Sequence, residues 1–146
     1  MPDVALVQGA SRGLGLAFVR CLILQSASSR VIATCRDPIS ASALQQFAES
    51  HPERVTLLRL DVTDIASLQA VAATVSALGS PIDLIINCAG VLHSPEGLRP
   101  EKRLQDVSVD SLEEYFRINT IGPLMVIKHL VPLMTRRGRA IIANLS

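Results

Sequence analysis

The sequence predicts an α/β fold in which a doubly wound parallel sheet is covered by helices on both faces. Short apolar runs alternate along the 146 residues with longer amphipathic stretches, a pattern typical of parallel strands beneath crossover helices. Hydrophobic residues make up 49% of the chain and charged residues 18%, so one ordinary globular core is expected. The sequence contains no repeat, low-complexity tract or linker, which predicts a single domain over residues 1–146.

Five apolar runs are predicted to be strands. Each is short, as expected for strands that are buried on both faces. They cover residues 4–7, 31–35, 55–60, 84–86 and 140–145.

Four amphipathic stretches between these runs are predicted to be helices. The first covers residues 13–25, the second residues 41–50, and the fourth runs from residues 108–111 to about residue 134. The third opens at Thr63 or Asp64, since either side chain can cap a helix N-terminus, and Gly79-Ser80-Pro81 ends it. The residues predicted to be buried are Leu14, Phe18, Cys21 and Leu22 in the first helix, Leu44, Phe47 and Ala48 in the second, and Ile65, Leu68, Val71, Ala72 and Val75 in the third.

Composition and charge exclude several classes of function. A net charge of +1, one tyrosine, three phenylalanines and no tryptophan leave neither a basic surface nor a stacking platform for nucleic acid. The three cysteines and three histidines are scattered, which fits neither a disulfide framework nor a metal site. No apolar run reaches the roughly 18 residues of a membrane span, and no signal-like segment opens the sequence. We therefore expect a cytoplasmic protein without metal, nucleic acid or membrane partners.

A glycine-rich turn follows the first strand and opens the first helix: Gly9-Ala10-Ser11-Arg12-Gly13-Leu14-Gly15. Such a turn lets backbone N–H groups and the positive end of the helix face a diphosphate, with no side chain in the way. The alternative is that the glycines only make a tight turn and a close contact between helix and strand. The position between a strand and an apolar-faced helix favours a Rossmann-type dinucleotide site.

The end of the second strand predicts a preference for NADP over NAD. Dinucleotide folds usually hold an acidic side chain here, which binds the adenosine ribose, whereas this chain has Cys35 followed by Arg36. Arg36, together with Arg12, can bind a 2′-phosphate. Two alternatives remain: both arginines face solvent, or Asp37 pairs with Arg36.

The spacing Gly-x-x-x-Gly-x-Gly resembles that of the short-chain dehydrogenases/reductases. The resemblance continues at Asp61-Val62 after the third strand, similar to the family's adenine-contacting pair, and at Asn87-Cys88-Ala89-Gly90 after the fourth, similar to its Asn-Asn-Ala-Gly signature. The subgroup most similar to this chain is that of the C-factor and sniffer-type carbonyl reductases. The resemblance lies in Thr34-Cys35-Arg36, the run from Pro100 to Leu104 and the ending Ala143-Asn144-Leu145-Ser146. The resemblance implies cofactor contacts from Gly9, Ser11, Arg12, Gly13, Leu14, Gly15, Arg36, Asp61, Val62, Asn87, Ala89 and Gly90.

The fourth helix contains Asn119-Thr120-Ile121-Gly122-Pro123. Pro123 has no N–H to donate to the Asn119 carbonyl four residues back, so a kink and a free carbonyl are expected. The resemblance implies that Asn119 is a catalytic residue whose backbone carbonyl holds a water in a proton relay. The alternative is that Gly122-Pro123 only bends the helix to fit its neighbours.

The family's catalytic Tyr-x-x-x-Lys pair is absent from this sequence. Tyr115 is followed four residues later by Asn119 rather than a lysine, and Ser146 aligns with the first of two serines, of which the second is usually catalytic. We therefore expect a Rossmann domain that is C-terminally incomplete, truncated after its fifth strand, with one bare sheet edge.

Three functions remain open at this point. In the first, the parent protein is a homo-oligomer that reduces small carbonyl compounds with NADPH, and this chain carries the cofactor half. In the second, the short chain is itself a non-catalytic nucleotide-binding or interaction module. In the third, it belongs to a methyltransferase that uses S-adenosylmethionine, although Cys35-Arg36 offers no acidic residue for the ribose.

Overall fold

The sheet has five parallel strands in the order β3-β2-β1-β4-β5. The computed structural model describes residues 2–93, 99–135 and 138–145, so Ser146 lies outside the described residues. The order reverses direction between β1 and β4, and the predicted doubly wound α/β fold is confirmed. The strands are β1 (Val4–Gln8), β2 (Arg30–Cys35), β3 (Val55–Arg59), β4 (Leu84–Asn87) and β5 (Ile141–Asn144).

Helices cover both faces of this sheet and bury two separate apolar clusters. On one face α1 and α2 pack against the strand residues that include Ala5 and Val7. On the other, α3 and α5 pack against those that include Val4 and Leu6. The helices are α1 (Gly13–Gln25), α2 (Ser42–Glu49), α3 (Ile65–Ala77), α4 (Val109–Phe116) and α5 (Gly122–Leu130), with short 3-10 turns at Leu104–Asp106 and Val131–Leu133.

The buried face of α1 differs from the prediction. Leu14 is 65% exposed and Cys21 is also exposed, whereas Leu22 is buried as predicted and Phe18 is partly buried. The helix is apolar almost all the way round, so periodicity does not single out the face that the sheet covers. The residues that α1 buries are Gly15, Leu16, Val19, Leu22 and Ile23.

The predicted long fourth helix is divided into α4 and α5. A π-helical turn at Arg117–Ile121 joins them, and the Gly122 N–H donates to the Arg117 carbonyl, five residues back. A Cβ atom on Gly122 would lie 2.7 Å from Val62 Cγ2, so glycine is needed where this helix passes over Val62. The contact between Gly122 and Val62 therefore supports the interpretation that this part of the helix is shaped for packing. That the Asn119 carbonyl lacks an intrahelical donor remains a prediction.

Asp64, rather than Thr63, caps the N-terminus of α3. Its Oδ1 accepts hydrogen bonds from the N–H groups of Ala66 (3.0 Å) and Ser67 (3.3 Å), and its Oδ2 pairs with Arg59 at 3.2 Å. The Ser67 N–H bond, followed by the bond from Arg59, lowers the pKa of this carboxyl. The ionised form is therefore the one that the folded chain favours.

We expect Asp64→Ala to lower the midpoint of thermal unfolding at pH 7. Because the folded-state pKa is lowered, the stabilisation is present above the ordinary carboxyl pKa and is lost as the pH falls through the folded value. Thermal melts between pH 7 and pH 2 should therefore converge for the two proteins at low pH. Asp64→Asn is the matched control, since asparagine caps nearly as well but does not titrate. Equal midpoints for wild type and Asp64→Ala at pH 7 would contradict this role.

Candidate nucleotide-binding site

An open cleft of about 760 Å³ lies at the carboxyl ends of the strands. In doubly wound folds this edge, at the point where the strand order reverses, is where ligands bind. Ten of the predicted site residues line it, whereas Gly13, Asn87 and Asn119 do not. The ten are Gly9, Ser11, Arg12, Leu14, Gly15, Arg36, Asp61, Val62, Ala89 and Gly90.

Two glycines of the turn are required by close backbone approaches. Gly9 has φ +82°, and a Cβ atom on it would lie 2.5 Å from the Ala89 backbone nitrogen. A Cβ atom on Gly15 would lie 2.1 Å from the Gly9 carbonyl oxygen. Gly13 has φ +57° but nothing within 4 Å of its Cβ position. The tight-turn interpretation therefore accounts for Gly9 and Gly15, although it does not explain why a cleft opens above them.

The first turn of α1 is open to an anion. Arg12 occupies the N-cap position without a side-chain cap bond, and the turn contains no acidic residue. The N–H groups of Gly9 and Ala10 instead bond the Thr34 carbonyl at 3.0 and 2.9 Å, which fixes the glycine turn against β2. Helix N–H groups without intrahelical partners are good donors to a phosphate.

The end of β2 places a buried thiol and an exposed guanidinium at the cleft. Burial, and to a lesser extent the nearby Asp37 carboxylate, raises the pKa of the Cys35 thiol, so it stays neutral. Asp37 accepts hydrogen bonds from the N–H groups of Ile39 and Ser40 at 3.0 and 3.4 Å. Neither Arg36 nor Arg12 forms an ion pair or a side-chain hydrogen bond with any residue the structure describes. Hydrogen bonds from Ser40, and to a lesser extent the charge of Arg36, lower the pKa of Asp37, so Arg36 interacts with that carboxylate without forming a salt bridge. Both arginines line the cleft.

Asp61 and Val62 follow β3 at the same edge of the sheet. One carboxylate oxygen of Asp61 accepts from the Thr63 N–H (2.9 Å) and the Thr63 hydroxyl (2.7 Å), which holds the turn into α3. Val62 is buried beneath Gly122. Asp61 therefore keeps its second oxygen for the cleft, while Val62 provides an apolar wall.

Side chains from two other parts of the chain hold the loop after β4. Gln8 Oε1 accepts from the Ala89 N–H at 3.0 Å. Asn119 accepts from the Val91 N–H at 2.7 Å and donates to the Val91 carbonyl at 2.8 Å. The Tyr115 hydroxyl donates to the Leu92 carbonyl at 3.1 Å, and its pKa is raised, mainly by desolvation. Asn119 does not line the cleft itself but holds Val91, which does.

Asn87 lies in the sheet rather than on the cleft wall. It is 2% exposed, and its Nδ2 donates to Asn144 Oδ1 on β5 at 2.8 Å. Its side chain therefore joins β4 to β5 beneath the site.

Several residues that line the cleft are not among the predicted site residues. Gln8 is the last residue of a buried strand and was therefore assigned to the sheet. The signal that could have identified it is a polar residue directly before the glycine turn. The charged residues of α4 and the following turn recur at helical spacing, which was the signal for a common face. The residues that line the cleft without having been predicted as site residues are Gln8, Cys35, Leu60, Thr63, Cys88, Val91, His93, Asp110, Glu113, Glu114, Arg117 and Ile118.

Metal-ligand clusters and membrane-spanning helices are the two other features to consider. Among residues 2–93, 99–135 and 138–145, no cluster of three metal-ligating side chains occurs. The same residues include no helix with the length and apolar character needed to cross a membrane.

Comparison with known proteins identifies relatives of this chain. The YusZ protein of Bacillus subtilis, an uncharacterized oxidoreductase, is 34% identical over 145 residues, which are 98% of this chain and 48% of that protein. The NADPH-bound carbonyl reductase from chicken fatty liver is 36% identical, with a TM-score of 0.78 over 90% of this chain and 48% of that one. A Caenorhabditis elegans protein described as the carbonyl reductase Sniffer is 27% identical, with a TM-score of 0.85 over 100% of this chain and 64% of that one.

The chain spans about half the length of the curated relatives it matches. The structural matches to carbonyl reductases agree with the subgroup that the sequence resembles. The methyltransferase interpretation is wrong, because a family model described as short chain dehydrogenase matches residues 3–146. The chain belongs to the short-chain dehydrogenase family.

Proposed function

We propose that this chain carries the nucleotide-binding half of an NADP(H)-dependent carbonyl reductase. One observation supports this above the others: the cleft combines an uncapped helix N-terminus with two arginines, Arg12 and Arg36, neither of which forms a salt bridge with a residue that the structure describes. A diphosphate bearing an additional 2′-phosphate suits this arrangement of charge. The NADPH described for the chicken carbonyl reductase is consistent with it.

The residues present fit a nicotinamide dinucleotide. The N–H groups at the start of α1, which follow the two that bond Thr34, would hold the diphosphate, and Arg12 and Arg36 would bind the 2′-phosphate. Asp61 and Val62 would contact the adenine, while the loop at Ala89 and Gly90 lets backbone approach the cofactor. When bound, the nicotinamide supplies the hydride that a carbonyl reduction requires.

The charges on α4 and the adjoining turn favour one orientation of such a ligand. Three carboxylates, those of Asp110, Glu113 and Glu114, and one guanidinium, that of Arg117, line this side of the cleft, so its net charge is negative and repels phosphate groups. Arg12 at the N-cap of α1 and Arg36 after β2 attract them. The phosphates should therefore lie on the arginine side of the cleft, with the uncharged parts of the ligand towards α4.

Asn119 is the one catalytic residue that we assign within this chain. Its side chain fixes Val91, and its backbone carbonyl would hold a water in the proton relay. This sequence contains no Tyr-x-x-x-Lys pair, which would supply the general acid and its partner. A chain extended to include Tyr-x-x-x-Lys, assembled as a homo-oligomer, should oxidise NADPH when given simple ketones or aldehydes. NADPH binding without turnover across a broad carbonyl panel would favour a non-catalytic nucleotide-binding module instead.

Arg36→Asp tests the cofactor preference directly. We expect the affinity for NADPH to fall by about ten- to a hundredfold, because a charge-assisted hydrogen bond contributes roughly 1.5–3 kcal/mol. The affinity for NADH should be unchanged or higher, since NADH has no 2′-phosphate. Titration calorimetry of both nucleotides measures the difference, with Arg139→Asp, exposed and outside the cleft, as the control. An equal loss for NADPH and NADH would mean that Arg36 has only a structural role.

A further inference from the structure

A row of polar side chains crosses the sheet beneath the cleft. The strand registers pair Gln8 with Thr34 on one side and with Asn87 on the other, and Asn87 with Asn144. Because parallel strands alternate their side chains with a period of two, paired residues project from the same face of the sheet. Thr34 is fully buried, and Gln8 and Asn87 are each 2% exposed. Polar groups buried to this extent need hydrogen-bond partners.

Two of these groups lack a partner in the described part of the chain. Gln8 uses Oε1 to accept from Ala89; its Nε2 donates to no described residue and, unlike Asn87 Oδ1, is not fully shielded from the cleft that Gln8 lines. Asn87 uses Nδ2 to donate to Asn144, but its Oδ1 is shielded from solvent and accepts no hydrogen bond. One donor and one acceptor are therefore left over on adjacent strands, whose backbones lie about 4.8 Å apart.

We propose that Gln8 is a positioning residue of the nucleotide cleft, which holds Ala89 through Oε1 and shares one ordered water with Asn87 through Nε2. The water accepts from Gln8 Nε2 and donates to Asn87 Oδ1, so both leftover groups are satisfied. Buried waters that bridge such groups are normal parts of protein interiors.

The hydrogen bond from Ala89 to Gln8 sets the distance between the backbones at Gly9 and Ala89, which approach each other closely. A Cβ atom on Gly9 would lie 2.5 Å from the Ala89 nitrogen, the same nitrogen whose hydrogen Gln8 accepts. Gln8 precedes Gly9 directly, so its side chain fixes the loop after β4 to the start of the glycine turn. The part of the inference that concerns nucleotide affinity rests on the proposed function, whereas the part that concerns Ala89 and the water does not.

Amide hydrogen exchange of Ala89, followed by NMR, tests the positioning role. Gln8→Met removes both amide atoms, and we expect the Ala89 N–H to exchange roughly tenfold faster, as the loss of one hydrogen bond predicts. Gln8→Glu keeps an acceptor for Ala89 and should restore protection, which also covers the case in which Gln8→Met does not fold. Gln69→Met, exposed on α3, is the matched control. Unchanged Ala89 exchange in Gln8→Met, or no rescue by Gln8→Glu, would overturn the role.

A crystal structure of the wild type at high resolution tests the water. Density for one water within about 3.2 Å of both Gln8 Nε2 and Asn87 Oδ1 is expected, and it should disappear in Gln8→Met. A side chain in contact with Asn87 Oδ1 in place of the water would refute the sharing. NADPH titration completes the experiment, with affinity about tenfold weaker in Gln8→Met and unchanged in Gln69→Met. If the wild type does not bind NADPH, the proposed function fails, while the exchange and the density still decide the role of Gln8.

Discussion

Gly15→Ala is expected to unfold the glycine turn and abolish nucleotide binding. The new Cβ atom would lie 2.1 Å from the Gly9 carbonyl oxygen and 3.0 Å from Ala10 Cα, and both of these are backbone atoms that cannot rotate away. Either α1 moves off β1 or the turn opens, so we expect a loss of about 3 kcal/mol or more in the free energy of unfolding. Chemical denaturation measures the loss, and titration with NADPH measures the consequence for binding.

Gly13→Ala is the matched control for this prediction. Gly13 belongs to the same turn, but a Cβ atom on it meets nothing within 4 Å. Its φ of +57° is left-handed, which costs an alanine about 1 kcal/mol. Two variants with the same chemical change should therefore differ by about 2 kcal/mol. Similar losses for both would mean that the close approach at Gly15 does not limit the turn.

Features that depend on residues close together in the sequence were predictable. Each of the five strands is an apolar run, although β5 lies at the sheet edge with Ile141 and Ile142 exposed. The predicted and observed ends of the strands differ by one residue at most. The glycine turn could be located because strand, glycines and helix follow one another directly. Asp64 was one of two candidate N-caps, since a capping side chain acts only on amides two or three residues ahead.

Features that depend on contacts between distant residues were not predictable. Leu14 and Leu16 are equally apolar, and only the position of α1 over β1 decides that Leu16 is buried and Leu14 exposed. Gln8 looks like the polar end of a strand until the loop after β4 brings the Ala89 N–H to it, 81 residues later in the sequence. In the fourth helix, Pro123 predicted a kink, whereas the structure has a π-helical turn at Arg117–Ile121, next to the point where Gly122 passes closely over Val62.

Arg54 makes hydrogen bonds to residues distant in the sequence, and we expect them to contribute strongly to stability, as does the close approach at Gly15. Its guanidinium lies at the C-terminal end of α1, although Arg54 itself immediately precedes β3. Nε donates to the Ser29 carbonyl at 3.1 Å, and one terminal nitrogen donates to the Ile23 carbonyl at 2.8 Å and to the Ser26 carbonyl. These carbonyls belong to the last turn of α1 and the segment after it. A cation at this end also suits the helix dipole.

Arg54→Met should therefore lower the free energy of unfolding by about 3 kcal/mol, because three carbonyls lose a charged donor that is partly buried. For a chain of this size the midpoint of thermal unfolding should fall by roughly 10 °C. Arg54→Lys keeps the charge but lacks the planar fork, so it should recover less than half of the loss. Urea denaturation with an unchanged slope measures the effect, and Arg99→Met is the control, since Arg99 is exposed and its side chain forms no hydrogen bond with a residue that the structure describes. If Arg54→Met unfolds at the same urea concentration as Arg99→Met, the end of α1 is held by the packing of Val19 and Ile23 rather than by the guanidinium.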